Sequence, residues 1–246
     1  MNKNLREFLA NTLYLKDIKC LFCGDELYKH SRYCSCDKCF KLLPFINDKV
    51  CKCCGEPIKS SATYCMRCKS HIDRGFDMAR AVFIYNGLIK NAIISLKYNG
   101  NKYIAEYLSN FMYDLYLTSF TKCDLIIPAP MSKNSLKRRG FNQAELLCDA
   151  FEKHGIKIET NCVAKVLETE NQARLSFEER QTNLVGAFKV VNKDIIKNKN
   201  VLFVDDIFTT GATASEVSLA LKKAGAKSVE VLTLCHSLPN EIDEIN

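Results

Sequence analysis

Two stretches of this chain repeat each other's cysteine spacing. Cys20-Leu-Phe-Cys23-Gly-Asp-Glu-Leu is followed by Cys36-Asp-Lys-Cys39, and Cys51-Lys-Cys-Cys54-Gly-Glu-Pro-Ile by Cys65-Met-Arg-Cys68. Each unit reads C-x-x-C-Gly-acidic and then C-x-x-C, with 12 and 10 residues between the inner cysteines. A C-x-x-C turn brings two sulfurs onto one ion, and the following glycine permits the turn that leaves backbone amides facing them. Four thiolates close a tetrahedral site with no open position, so the expectation is two structural Zn²⁺ ions rather than an iron–sulfur cluster. About 50 residues with few large apolar side chains cannot build an adequate core unaided. Zinc contributes on the order of 10–16 kcal/mol in small finger peptides, enough to hold such a module. Spacing leaves sequential and cross-braced pairing both open, and Cys34 and Cys53 are read as bystanders beside the ligands.

Ten of the fourteen cysteines lie between Cys20 and Cys68, which places a domain boundary near residue 70: a segment with ribbons over 1–73, then an α/β domain over 74–246. Residues 1–73 carry 13 Lys and Arg against 8 Asp and Glu, and the remainder 22 against 20, giving the net +7. Eight thiolates on two Zn²⁺ remove four of those charges, so a nucleic-acid reading must rest on local patches. No stretch approaches the roughly 18 uninterrupted apolar residues of a bilayer span. The N-terminus carries Glu7 and no long apolar core, unlike a secretory signal. A cytoplasmic protein, rich in thiols rather than disulfides, is expected. Leu5, Phe8, Leu9 and Leu13 recur at helical spacing and predict a short docked helix.

Beyond residue 78 strand and helix signals alternate. Strands are expected at 79–85, 124–127, 162–167, 201–204 and 229–234, and helices at 88–98, 102–118, 142–154 and 213–224. Ile89, Ala92, Ile93 and Leu96 share one face of the first helix. Gly225 sits where the last helix ends. The continuous apolar run Val201–Val204 fits a central parallel strand covered on both faces. Strands separated by helices predict a doubly wound parallel sheet, which takes ligands at the carboxyl ends of its strands.

Asp205 and Asp206 emerge there, followed by Thr209-Thr210-Gly211-Ala212-Thr213 leading into a helix. Paired carboxylates accept hydrogen bonds from vicinal hydroxyls or approach a metal bound to them. A glycine bend, threonine hydroxyls and a helix N-terminus form an anion cradle. Together they match a ribose 5-phosphate. A Walker A loop would need a lysine after its last glycine, and a dinucleotide fingerprint three spaced glycines; neither is present.

Segment 201–216 resembles the phosphoribosyl diphosphate loop of type I phosphoribosyltransferases. The chain from Cys20 to His236 resembles the ComF family of competence proteins, which place a double zinc ribbon before such a domain. Supporting stretches are Leu96-Lys-Tyr-Asn-Gly100, Ile127-Pro-Ala-Pro130, Arg138-Arg-Gly-Phe-Asn-Gln-Ala-Glu145, and 172–188 with Leu175-Ser176, Glu179-Arg180, Asn183 and Gly186-Ala-Phe188. Phe208 and Met131-Ser132 stand at positions where relatives vary. The resemblance implies that Asp205 and Asp206 hold the ribose hydroxyls and 209–213 the 5-phosphate. It further implies that the loop at Ala129-Pro130 receives the pyrophosphate, that Mg²⁺ accompanies the ligand, and that 171–183 is a flap. Lys97 either neutralises a diphosphate or solvates a helix end. Lys133, Lys137, Arg138 and Arg139, with Arg174 and Arg180 of the flap, are basic candidates for a diphosphate or a nucleic-acid backbone. The four histidines match no ligand spacing and are expected at the surface. By resemblance the protein acts in natural transformation on incoming single-stranded DNA, beside a helicase-like ATPase. An active phosphoribosyltransferase of nucleotide salvage or synthesis, and a phosphoribosyl diphosphate sensor without turnover, are the alternatives. No acceptor pocket is legible.

Overall fold

The computed structural model describes residues 18–27, 31–47, 49–70, 74–166, 184 and 186–238. Four strands form a parallel sheet: β1 (Met78–Ile84), β2 (Leu125–Pro128), β5 (Asn200–Phe208) and β6 (Ser228–His236). They stand in the order β1-β6-β5-β2, so the two longest strands occupy the centre. Helices α3 (Gly87–Tyr98) and α4 (Tyr103–Ser119) connect β1 to β2, and α8 (Ala212–Lys223) connects β5 to β6. Between β2 and β5 lie α5 (Lys133–Arg139), α6 (Gln143–Leu146), α7 (Asp149–Lys153), β3 (Val163–Lys165) and β4 (Phe188–Val190).

Alternate residues of each strand feed two cores. Leu202, Val204 and Leu232 pack with Ile89, Ile93 and Leu96 of α3, Leu108 and Met112 of α4, and Phe151 of α7. Val201, Phe203, Val229 and Val231 face the other way, onto Val217 and Leu221 of α8. Both faces being covered, these central strands read as uninterrupted apolar runs.

Three expectations need correction. The helix expected at 142–154 is two short ones, α6 and α7, because the chain turns at Leu147 and Cys148. Both side chains are fully buried, and Cys148 Sγ donates back to the Ala144 carbonyl, 3.2 Å. The strand expected at 162–167 lies outside the main sheet; as β3 it pairs antiparallel with β4, a partner three residues long and easily missed. The run 201–204 is the first half of a nine-residue strand that continues through Asp205-Asp206, since β6 pairs it as far as Phe208 opposite His236. Polar residues at the carboxyl end of a strand mask its length from a hydrophobic pattern. The helix expected near Leu5–Leu13 lies outside the described residues.

The two cysteine units flank one edge of the sheet. Strand β1 pairs only with β6 within the sheet, and an open edge of this kind invites pairing with other chains. Here the ribbons cover it. Ile46 N–H donates to the Val82 carbonyl (3.0 Å) and Ile84 N–H to Pro44 (2.9 Å), while Ala79 N–H donates to Cys53 of the second unit (2.7 Å). The first unit, which includes α1 (Asp37–Lys41), presses Phe45 onto Phe83 and Tyr33 onto Phe111, ring centroids 4.8 and 4.2 Å apart. The second unit, with α2 (Met66–Ser70), buries Cys51, Cys54, Cys65 and Cys68 in the core that α8 shares.

Candidate functional site

The cysteine centres are the simpler of the two sites. Cys20, Cys23, Cys36 and Cys39 form one group and Cys51, Cys54, Cys65 and Cys68 another, the sulfurs of each within 4.8 Å of one another. Pairing is therefore sequential. Sulfurs about 2.3 Å from a tetrahedral metal stand about 3.8 Å apart; Cys23 Sγ to Cys36 Sγ is 3.8 Å and Cys54 Sγ to Cys65 Sγ 3.6 Å. The amides of Cys36 and Cys39 point at Cys20 Sγ and Cys36 Sγ, as a thiolate needs. The donor sets fit structural zinc. Cys34 stays out, donating to the Lys19 carbonyl.

The second site lies at the carboxyl end of β5. Asp206 is buried, and Asp205, one residue before it, is half-buried. Lys97, in the last turn of α3, makes an ion pair with Asp206 Oδ2. Its ammonium thus serves a carboxylate of the site itself. Burial pushes Asp205 well above the ordinary carboxylate range, and the charge of Asp206 adds to that. Burial would raise Asp206 too, but Lys97 and a hydrogen bond from Asp205 outweigh it and hold Asp206 below the ordinary range. The two carboxylates therefore titrate as a coupled pair, of which Asp206, beside Lys97, is the more acidic member.

Arg139 adds its field at Asp206. Its guanidinium lies 5.6 Å over the Tyr98 ring and donates to Gln143 Oε1. Asn142 holds the neighbouring loop: its amide donates to the Ala129 carbonyl (2.9 Å) and its Oδ1 accepts from Ala144 N–H (3.0 Å). Ala129 N–H in turn donates to Val204 of β5, 2.8 Å. The stretches 96–100, 127–130 and 138–145 thereby converge on the end of one strand. Lys133, Lys137 and Arg138 are solvent-exposed on α5, whose last turn carries three cations at the negative end of the helix.

The bend after β5 is tightly specified. Thr210 is buried, its Oγ1 accepting from Ala212 N–H at 3.2 Å. Gly211 has φ +80°, and a Cβ there would stand 2.5 Å from the Phe208 ring and 2.9 Å from Arg74 Nη1. Only glycine fits. Thr209 and Thr213 flank the bend half-buried, and α8 begins at Ala212, its first-turn amides lacking intrahelical acceptors.

Two residues of this neighbourhood carried no sequence signal. Arg74, buried between the last cysteine and β1, donates from Nη1 to the Thr210 carbonyl, 3.1 Å. His236, expected at the surface, is fully buried, because β6 runs on to it and Phe208 stacks on its ring at 5.0 Å. Its ring also lies within 4.8 Å of Cys54 and Glu56. His154 is exposed as expected, whereas His30 and His71 lie outside the described residues, as do the flap and its Arg174 and Arg180.

A parallel sheet with acidic residues ending a central strand, a glycine bend opening the next helix, and two four-cysteine centres on its edge define a phosphoribosyltransferase-type domain with a double zinc ribbon. The double zinc ribbon domain family matches residues 9–69, and the phosphoribosyl transferase domain family residues 140–244. The chain is 29% identical to competence protein F of Haemophilus influenzae over 230 residues, 90% of this chain and 98% of that one. It is 27% identical to competence protein ComFC of Streptococcus pneumoniae over 232 residues, covering 88% and 99%. To the DNA utilization protein YhgH of Escherichia coli it is 30% identical over 197 residues, covering 77% and 85%. The chain belongs to the ComF family.

Proposed function

We propose that this protein handles incoming DNA during natural transformation, and that its α/β domain, over 74–246, binds phosphoribosyl diphosphate. In this reading Asp205 and Asp206 accept from the vicinal ribose hydroxyls. Thr209, Thr210, Gly211, Ala212 and Thr213 surround the 5-phosphate, and the loop at Ala129 and Pro130 faces the pyrophosphate. Arg138, Arg139 and Arg180 offset its charge, and Lys97 keeps Asp206 ionised. Mg²⁺ would arrive with the ligand, held by one or two carboxylates and the phosphates. The names of the competence relatives support the role in DNA uptake. The observation that carries the ligand is the buried, ionised Asp206 pinned by Lys97 five residues before the Gly211 bend. A diol donor replaces solvent there without leaving a charge unpaired.

Titration calorimetry with phosphoribosyl diphosphate and Mg²⁺ tests this. Binding by the wild type, weakened about tenfold or more in Asp206→Asn, is expected, from the loss of a charge-assisted hydrogen bond. No heat of binding in the wild type would sink the reading. Release of pyrophosphate during the titration, with a base or amine present, would make the protein a transferase; binding without release leaves it a sensor.

A surface beside the site supports a single-stranded DNA partner. Tyr98 and Tyr103 are 72% and 61% exposed at the two ends of the α3–α4 turn. Lys102 lies between them in sequence, Arg139 packs on Tyr98, and Lys137 and Arg138 are exposed nearby on α5. Aromatic faces interleaved with cations are what unpaired bases and their phosphates require. A helicase-like ATPase remains the expected protein partner in DNA uptake.

A further inference from the structure

Each of residues 74–77, which lead into β1, is fastened to the stretch from Phe208 to Val229. Arg74 is 6% exposed, and its Nη1 donates to the Thr210 carbonyl at 3.1 Å. Gly75 lies so close to α8 that a Cβ would stand 2.8 Å from the Leu219 amide nitrogen. Phe76 meets the Phe208 ring edge-on at 6.0 Å. Asp77 accepts from Lys222 Nζ at 2.8 Å and from the Val229 amide at 2.7 Å. The guanidinium therefore reaches the bend from a fixed point. A trans peptide turns its C=O and its N–H in opposite directions. With the Thr210 carbonyl held by Arg74, the Gly211 N–H of the same peptide is aimed away from the guanidinium. The next amide, of Ala212, is taken by Thr210 Oγ1. Gly211 is buried, yet its N–H has no acceptor among the described residues. An unpartnered buried backbone donor is rare and costly. On the far side of the peptide, Nε and Nη2 of Arg74 are buried and also lack a partner among the described residues, while Asp206 is already matched by Lys97. Cation, carbonyl and amide thus follow in that order, and an anion beyond the amide completes the row.

We propose, resting on the reading of this bend as a phosphate cradle, that Arg74 is a positioning residue for the ligand's phosphate: through the Thr210 carbonyl it aims the Gly211 N–H at the anion. A charged donor on the carbonyl also polarises the peptide and strengthens its N–H. Arg74 stays behind the peptide and touches no ligand atom. One peptide unit separates its charge from the phosphate, so the buried cation gains a counter-charge when the ligand arrives. Glycine at 211 serves this arrangement as well as the turn, since a Cβ there would stand 2.9 Å from Arg74 Nη1.

Thr210-Gly211 is the chain's one Thr-Gly pair. Isotope labelling of threonine carbonyl carbon and glycine nitrogen together therefore yields a single correlated NMR signal, from this peptide, in the full-length zinc-loaded protein. Phosphoribosyl diphosphate with Mg²⁺ is expected to move the wild-type Gly211 amide proton downfield. Arg74→Met is expected to shift the Thr210 carbonyl signal before any ligand is added. It should also weaken phosphoribosyl diphosphate binding about tenfold or more, whereas Arg74→Lys, which keeps a cationic donor, loses only about threefold. A role in packing alone gives the reverse order, Met tolerated and Lys not. An unmoved carbonyl signal or wild-type affinity in Arg74→Met overturns the proposal, as does a Lys variant no better than Met. Should Arg74→Met fail to fold, Arg74→Lys decides: a carbonyl signal and a Gly211 response both as in the wild type overturn it. A wild type that binds no phosphoribosyl diphosphate removes the sugar reading by itself. Inorganic phosphate is then titrated onto the same signal: a Gly211 response that Arg74→Met weakens upholds the role of Arg74, and no response overturns it.

Discussion

Asp205 and Asp206 are neighbours in sequence and opposites in state. Burial and the charge of Asp206 hold the Asp205 proton above the ordinary carboxylate range, so the folded chain keeps it where an unfolded Asp would lose it. As pH rises above about 4 toward the folded value, the folded state binds more protons than the unfolded one, and stability falls. Asp206 has the reverse sign: its depressed value adds stability above about pH 4, lost as pH drops through the folded value. Isosteric amides should therefore shift stability in opposite directions at pH 7.5. Asp205→Asn keeps a neutral group where the fold already wants one, and is expected to raise the thermal midpoint by a few degrees, on the order of 1 kcal/mol. Asp206→Asn leaves the half-buried Lys97 without its partner and is expected to cost about 1–3 kcal/mol. Thermal unfolding of the two variants checks this, and shifts of one sign would refute the division of charge. The paired aspartates were legible in sequence because acidic residues after an apolar strand are conspicuous. Which of them is the more acidic was not, since Lys97 arrives from a helix, 109 positions before Asp206.

At the level of elements, the sequence indicated what each segment does alone better than what it does against its neighbours. The helical spacing of Ile89, Ala92, Ile93 and Leu96 survives intact in α3, all four buried. The turn between α6 and α7, the reach of β5 past its apolar half and the pairing of β3 with β4 depend on partners far along the chain, and local pattern is silent on them. The ribbons illustrate the same limit. Their cysteine spacing marked the eight ligands, but neither how they pair nor that both units would lie along β1. Gly55 marks one such junction: φ is +75°, and a Cβ would stand 2.6 Å from the Ala79 carbonyl. Gly55→Ala must then push the second unit off the strand or strain the C-x-x-C turn. A left-handed alanine costs about 1–2 kcal/mol and overpacking about 1–3 more. The expected result is destabilisation by about 2–5 kcal/mol with both zinc ions retained. Chemical denaturation alongside metal analysis measures it, and an unchanged midpoint would mean that the unit does not dock as described.

Across the whole molecule, the chain's net charge of +7 shrinks once eight thiolates hold two zinc ions, so attraction to DNA must come from where the cations stand. Arg139 packs on Tyr98, Lys102 adjoins the exposed Tyr103 in the chain, and Lys137 and Arg138 precede Arg139, exposed on α5. Two separable contributions follow. Phosphate contacts by a few cations release counterions, and for single strands the logarithm of affinity should fall with the logarithm of salt by about 0.7 per contact. Stacking on tyrosine adds about 1–3 kcal/mol per base with little salt dependence. Lys137→Ala with Arg138→Ala is therefore expected to flatten the salt slope by between one and two units. Tyr98→Ala with Tyr103→Ala should instead weaken binding tenfold or more at every salt concentration and leave the slope alone. Fluorescence anisotropy with an unlabelled-competitor series and a fluorescent oligothymidylate reads both. If the tyrosine pair alters only the slope, or neither pair matters while the zinc-loaded protein still binds, the DNA face lies elsewhere and the exposed tyrosines serve another contact.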